Sequence, residues 1–92
     1  MSVQIHAEFI ISGNVQGVGF RYFVYQHAKV LGLKGFARNQ WDGSVCVVAE
    51  GDKDSIDTLH KYLKKGPLMS YVESVEVDYG NADGEFNNFE IR

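Results

Sequence analysis

A chain of 92 residues, 45% of them hydrophobic, can bury one modest core and has no room for a second, so residues 1–92 are expected to form a single domain. The formal net charge of -3 argues against nucleic-acid binding, because affinity for the phosphate backbone comes from an excess of Lys and Arg. The single cysteine closes no internal disulfide, no basic-then-apolar leader opens the chain, and no apolar run reaches membrane-spanning length; a cytoplasmic protein without membrane contact is expected.

From residue 4 to 12, Ile5, Ala7, Phe9 and Ile11 alternate with His6 and Glu8, which predicts a half-buried strand. The period then changes. Phe20, Val24, Ala28 and Leu31 recur three or four apart, predicting a helix over 21–31 that Gly32 stops. Residues 33–39 and 44–50 read as two strands joined by Gln40-Trp41-Asp42-Gly43, a hairpin signalled by the Asp-Gly pair. The second strand carries Val45, Val47 and Val48, which suits a central position, and Gly51 is expected to end it. Asp52 or Asp54 can then cap a second helix with Ile56, Leu59 and Leu63 on its buried face. Lys64 and Lys65 suit the negative end of its dipole, and Gly66-Pro67 stops it. Val75, Val77 and Tyr79 predict another strand, residues 80–84 a polar turn, and Phe89 and Ile91 a short closing strand. The order is βαββαβ with a short extra C-terminal strand. The expected fold is a two-layer α+β sandwich of ferredoxin-like topology.

The most informative segment is Gly13-Asn14-Val15-Gln16-Gly17-Val18-Gly19-Phe20-Arg21, three glycines between a strand and a helix. Glycine tolerates positive φ and close approach of a ligand, and a loop feeding a helix aims free N–H groups at one point beside the positive dipole end. Alone, such a loop serves a sharp turn as readily as an anion. Arg21 tips the balance: a cation in a helix's first turn opposes the dipole, and its planar fork suits phosphate oxygens. Val15, Gln16, Gly17, Val18, Gly19, Phe20 and Arg21 are therefore read as a phosphate site, with the amides of 16–20 as donors.

This block resembles the acylphosphatase signature glycine-x-Val-Gln-Gly-Val-Gly-Phe-Arg. A second block, Gly35-Phe36-Ala37-Arg38-Asn39-Gln40-Trp41-Asp42-Gly43-Ser44-Val45 and on to Gly51, resembles that family's other signature. The two are independent and correctly ordered, and the family's length and element order cover essentially the whole chain. The resemblance implies hydrolysis of small-molecule acyl phosphates to a carboxylate and inorganic phosphate, without metal or organic cofactor. It also implies that Arg21 binds the phosphoryl group and Asn39 positions the attacking water. One departure stands out: where the family usually has Arg after the first loop glycine, this chain has Asn14. The lost charge is expected to weaken affinity more than activity.

Other residues read as structural. Cys46, among valines in a strand, is a packing residue and no nucleophile. His6, His27 and His60 lack ligand spacing, so no metal site is expected. Asp52, Asp54 and Asp57 suit the start of a helix, not a calcium loop. Trp41 is expected at the rim of the site. The aromatic run Phe20, Tyr22, Phe23 and Tyr25 is similar to an RNA-stacking motif, but it opens a helix instead of lying on a central strand, so RNA binding is not expected. A monomer is the default. The alternative to an enzyme is a non-catalytic phosphate- or anion-binding module of the same fold.

Overall fold

The computed structural model describes residues 3–92. Its elements are β1 (Gln4–Asn14), α1 (Phe20–Val30), β2 (Lys34–Asn39), β3 (Val45–Asp52), α2 (Lys53–Lys65), β4 (Tyr71–Asn81) and β5 (Phe89–Ile91). The strands form one five-stranded sheet in the order β4-β1-β3-β2-β5. All pairs are antiparallel except β2 with β5. This is the ferredoxin-like arrangement expected, with β3 at the centre and the closing strand on the β2 edge.

Both helices lie against one face of the sheet. Phe20, Val24 and Ala28 of α1 and Ile56, Leu59 and Leu63 of α2 pack with Ala7, Phe9, Ile11, Ala37, Val47 and Ala49 in a single core. Strand alternation sends the intervening residues to the other face. That face is not simply polar: Phe36, Cys46 and Val48 form a second, smaller cluster with Ile10 and Phe86 packed on it. The Arg92 and Arg38 guanidinium groups cover the Phe36 ring, at 4.2 and 5.4 Å from its centroid.

Several boundaries differ from the sequence expectation. β2 begins at Lys34 because the Leu33 amide is used to terminate α1, donating to the Ala28 carbonyl at 2.9 Å. β3 runs through Gly51 to Asp52 instead of ending at the glycine. A Cβ at Gly51 would lie 2.5 Å from Leu33 Cδ2, so the residue serves close packing within the strand. Asp52 does occupy the N-cap position of α2, but neither it nor Asp54 caps through its side chain. The chain passes from β3 into α2 with no loop between, and the Lys53 amide donates to the Val3 carbonyl instead. β4 is 11 residues long and takes in Gly80 and Asn81, which were expected in a turn. As an edge strand it is mostly exposed, so its apolar alternation is weak outside 75–79. β1 likewise extends past Ser12 to Asn14, through a register shift against β4 at Ser12/Gly13. Gly13 has φ 130°, and a Cβ there would run into the Tyr71 carbonyl. Gly13→Ala is therefore expected to destabilise by about 1–3 kcal/mol, the usual range for overpacking. The measurement is the urea midpoint at unchanged m-value, and an unmoved midpoint would refute it.

At the end of the sheet where β1 begins, Glu50 is only 6% exposed. His6 Nδ1 donates to its Oε2 at 2.6 Å, and the Gly84 amide donates to its Oε1 at 3.1 Å, tying the β4–β5 connection to β3. Burial by itself raises the Glu50 pKa; the hydrogen bonds from His6 and from the Gly84 and Asp83 backbone outweigh it and hold the carboxyl below its ordinary value. With the folded pKa depressed, the unfolded chain takes up the proton first. The contribution to stability is thus complete above the unfolded value, about 4.3, and lost as pH falls through the folded one. Glu50→Gln is expected to be less stable than the parent at neutral pH and to lose less stability on acidification. Equal acid sensitivity of parent and variant in urea titrations would contradict this.

Candidate active site

The register places four segments at one end of the molecule. Asn14 pairs with Tyr71, Ile11 with Val45, and Asn39 with Val45. The β1–α1 loop, the β2–β3 turn and the α2–β4 connection therefore share that end. Because β5 is parallel to β2, Arg92 arrives there too.

The loop is pinned by three apolar side chains. Val15 is 1% exposed and Phe20 is buried in the core, with Val18 packed against it. Gly17 and Gly19 point outward with φ 74° and 78°, and a Cβ on either would meet nothing within 4 Å. Backbone conformation, not space, is what demands glycine at these two positions. Gly19 is the N-cap of α1, and no side chain caps the first amides of the helix. The loop thus presents uncapped N–H groups at the positive end of α1.

Arg21 lies in the first turn, half-buried. Its Nη1 donates to the Arg92 main-chain oxygen at 2.8 Å, and the Arg92 amide in turn donates to the Ala37 carbonyl at 2.8 Å. The guanidinium is thereby held beside the end of β2. Asn39 is the last residue of that strand and half-buried. It lies two residues from Ala37, whose side chain is in the helix-side core, so alternation directs Asn39 to the same face as α1. The tertiary structure brings Arg21, the glycine loop and Asn39 to one place.

The turn after Asn39 is closed by hydrogen bonds of its own main chain and side chains. Gln40 N donates to the Ser44 carbonyl at 2.8 Å, and Gly43 N donates to the Gln40 carbonyl at 3.1 Å. Ser44 donates to Asp42 Oδ1 through both Oγ at 2.6 Å and its amide at 2.9 Å. These bonds, the side-chain one first, hold the Asp42 carboxyl below its ordinary pKa. Trp41 is fully exposed at the tip of the turn.

Two participants escaped the sequence reading. The Gln16 side chain was unremarked, yet its Nε2 donates to the Gln40 carbonyl at 2.5 Å and to the Ser44 carbonyl at 2.9 Å. Arg92 contributes its main-chain oxygen from 71 residues away, a contact no local pattern signals. Charge is also polarised. Arg21, Arg92, Lys64 and Lys65 outnumber Asp42 and Glu73 at the site end, whereas Asp52, Asp54 and Asp57 outnumber Lys53 at the far end of α2. The remaining candidates lie elsewhere. Cys46 is buried on the outer face of the sheet, and burial pushes its thiol pKa up. His27 stacks on Tyr62 with centroids 3.8 Å apart, and His60 packs 5.1 Å from Phe9, well separated from His6 beside Glu50.

Comparison with known proteins identifies the family and the fold. The sequence model of the acylphosphatase family matches residues 7–91. The acylphosphatase of Caldanaerobacter subterraneus subsp. tengcongensis is 48% identical over 81 residues, 88% of this chain and 90% of that protein. Among solved structures, the acylphosphatase from Bacillus subtilis superposes with a TM-score of 0.93 at 33% identity, covering 96% of this chain and 98% of that one. Full-length HypF in its phosphate- and nucleotide-bound form contains a similar unit, with TM-score 0.90 and 29% identity over 100% of this chain but 12% of that one. Matched along nearly its whole length in sequence and in fold, the chain belongs to the acylphosphatase family.

Proposed function

We propose that this acylphosphatase hydrolyses the carboxyl–phosphate bond of small acyl phosphates by in-line attack of water, with Arg21 and the amides of 16–20 holding the phosphoryl group and Asn39 aiming the water. The observation that carries the assignment of roles is the joint placement of Arg21 and Asn39. The Arg21 fork is steadied at the end of β2 through Arg92, next to a glycine loop whose amides no side chain caps. With Nη1 bonded to Arg92, the remaining N–H groups of the guanidinium are available to phosphoryl oxygens.

The chemistry asks for little more. The leaving group is a carboxylate, about as weakly basic as a Glu side chain at pKa ~4.3, and departs without a proton. Phosphoryl transfer of this kind depends mainly on positioning and on stabilising charge at the equatorial oxygens. The loop amides and Arg21 are suited to that stabilisation. A neutral amide such as Asn39 accepts one water proton in a hydrogen bond and donates to a phosphoryl oxygen, orienting the nucleophile without acting as a base. The proton released late in the reaction can pass to a phosphate oxygen, so none of these steps calls for a metal or an organic cofactor. The proposal includes a monomer working in the cytoplasm.

A non-catalytic anion-binding module is the competing reading, and the similar unit within phosphate- and nucleotide-bound HypF is the observation that keeps it in view. Hydrolysis of benzoyl phosphate in EDTA separates the two. Arg21→Ala is expected to lower kcat/KM by at least the roughly 10²–10³-fold typical of losing one preorganised donor. Asn39→Ala is expected to abolish most turnover while inorganic phosphate still binds with nearly parental affinity. A folded parent protein that hydrolyses benzoyl phosphate no faster than the spontaneous rate would leave the binding module as the better account.

A further inference from the structure

Among the described residues, the Gln16 side chain is the polar group that spans from the glycine loop to the β2–β3 turn. Its Nε2 donates to the Gln40 and Ser44 carbonyls across 24 and 28 residues of sequence, which uses both of its hydrogens. Each carbonyl has a second donor from within the turn: Gly43 N on the Gln40 oxygen and Gln40 N on the Ser44 oxygen. Loss of Gln16 would leave the turn closed but detached from the loop. Both acceptors are main-chain carbonyls, so the facing group must be a donor; Glu at this position would set a carboxylate against two oxygens. Gln40 directly follows Asn39, and Gln16 lies within the loop that offers its amides to phosphate. The clamp therefore spans the two halves of the site at the residue next to the water-aiming amide.

We propose that Gln16, through its side chain, is a positioning residue that sets the distance and angle between the phosphate loop and Asn39. This rests on the role given to Asn39 above. Without the clamp, the loop still binds phosphate and the hairpin still carries Asn39, but the two are no longer held in register for in-line attack. Misplacement by about 1 Å can cost on the order of 10²-fold in rate.

The test is a double-mutant cycle of Gln16→Met, which keeps length and removes both donors, with Asn39→Ala. Urea midpoints confirm folding, and Gln16→Ala takes the place of Gln16→Met should the latter not fold. Gln16→Met alone is expected to lower kcat on benzoyl phosphate by about 10- to 100-fold. Its inhibition constant for inorganic phosphate should stay within about threefold of the parent, because the cradle amides are unchanged. In the Asn39→Ala background the same change should cost little more, since there is no amide left to position. Full additivity, an undiminished kcat, or a loss of phosphate affinity as large as the loss of kcat would each overturn the inference. If Asn39→Ala by itself leaves turnover intact, the failure lies with the role of Asn39 and the present proposal falls with it. If Asn39→Ala is inactive and the cycle is additive, only the clamp is refuted.

Discussion

Covering one face of the sheet with two helices is the constraint on which the rest depends. A strand sends successive side chains to opposite faces, so burying Ala7, Phe9 and Ile11 of β1 with Val45, Val47 and Ala49 of β3 and Ala37 of β2 determines the register of all three strands together. A one-residue slip in any of them would put polar groups into the core. The same parity that buries Ala37 aims Asn39 toward α1, and the antiparallel pairing of β1 with β3 returns the chain to the end where α1 begins. Packing parity thus accounts for which residues meet at that end.

Polar contacts add to what packing places. Arg21 reaches Arg92, Arg92 is held to Ala37 through its amide and to Phe36 through its ring-stacked guanidinium, and Gln16 reaches the Gln40 and Ser44 carbonyls. Each contact bridges segments remote in sequence, and together they tie the glycine loop and the first turn of α1, directly or through Arg92, to β2 and the turn that follows it. Individually such hydrogen bonds contribute roughly 0.5–1.5 kcal/mol to stability. Their larger consequence is geometric: they fix the glycine loop, Arg21 and the β2–β3 hairpin relative to one another, and on the mechanism proposed above the rate depends on that positioning. In a chain that is -3 overall, Arg21, Arg92, Lys64 and Lys65 outnumber Asp42 and Glu73 at the end of the sheet that carries the glycine loop.

Much of this was legible in one dimension. The switch from period two at Ile5–Ile11 to a helical period from Phe20 marks the β1–α1 junction, and the glycines between them mark a loop with unusual backbone needs. Arg21 stood out because a cation in a first helical turn is locally unfavourable. Asn39 was different: its surroundings suggest an ordinary strand end, and only the family motif singled it out. The misjudged boundaries have a common origin. Gly51 and Gly80 looked like strand ends, yet Gly51 is a close-packing position against Leu33 and Gly80 sits in an exposed edge strand, both decided by neighbours distant in sequence. Asp52 had the right position for a cap, but the chain enters α2 straight from β3 and the Val3 carbonyl takes the first amide.

By itself the sequence determined the element types, the buried face of β1 and of each helix, and the glycine loop with its arginine, because periodicity, backbone freedom and dipole effects are local properties. The tertiary structure decided which strands neighbour one another, that Asn39 faces the start of α1, that Arg92 steadies Arg21, and that the Gln16 side chain joins loop to hairpin. Those contacts depend on register and chain return over tens of residues, and no local preference encodes them.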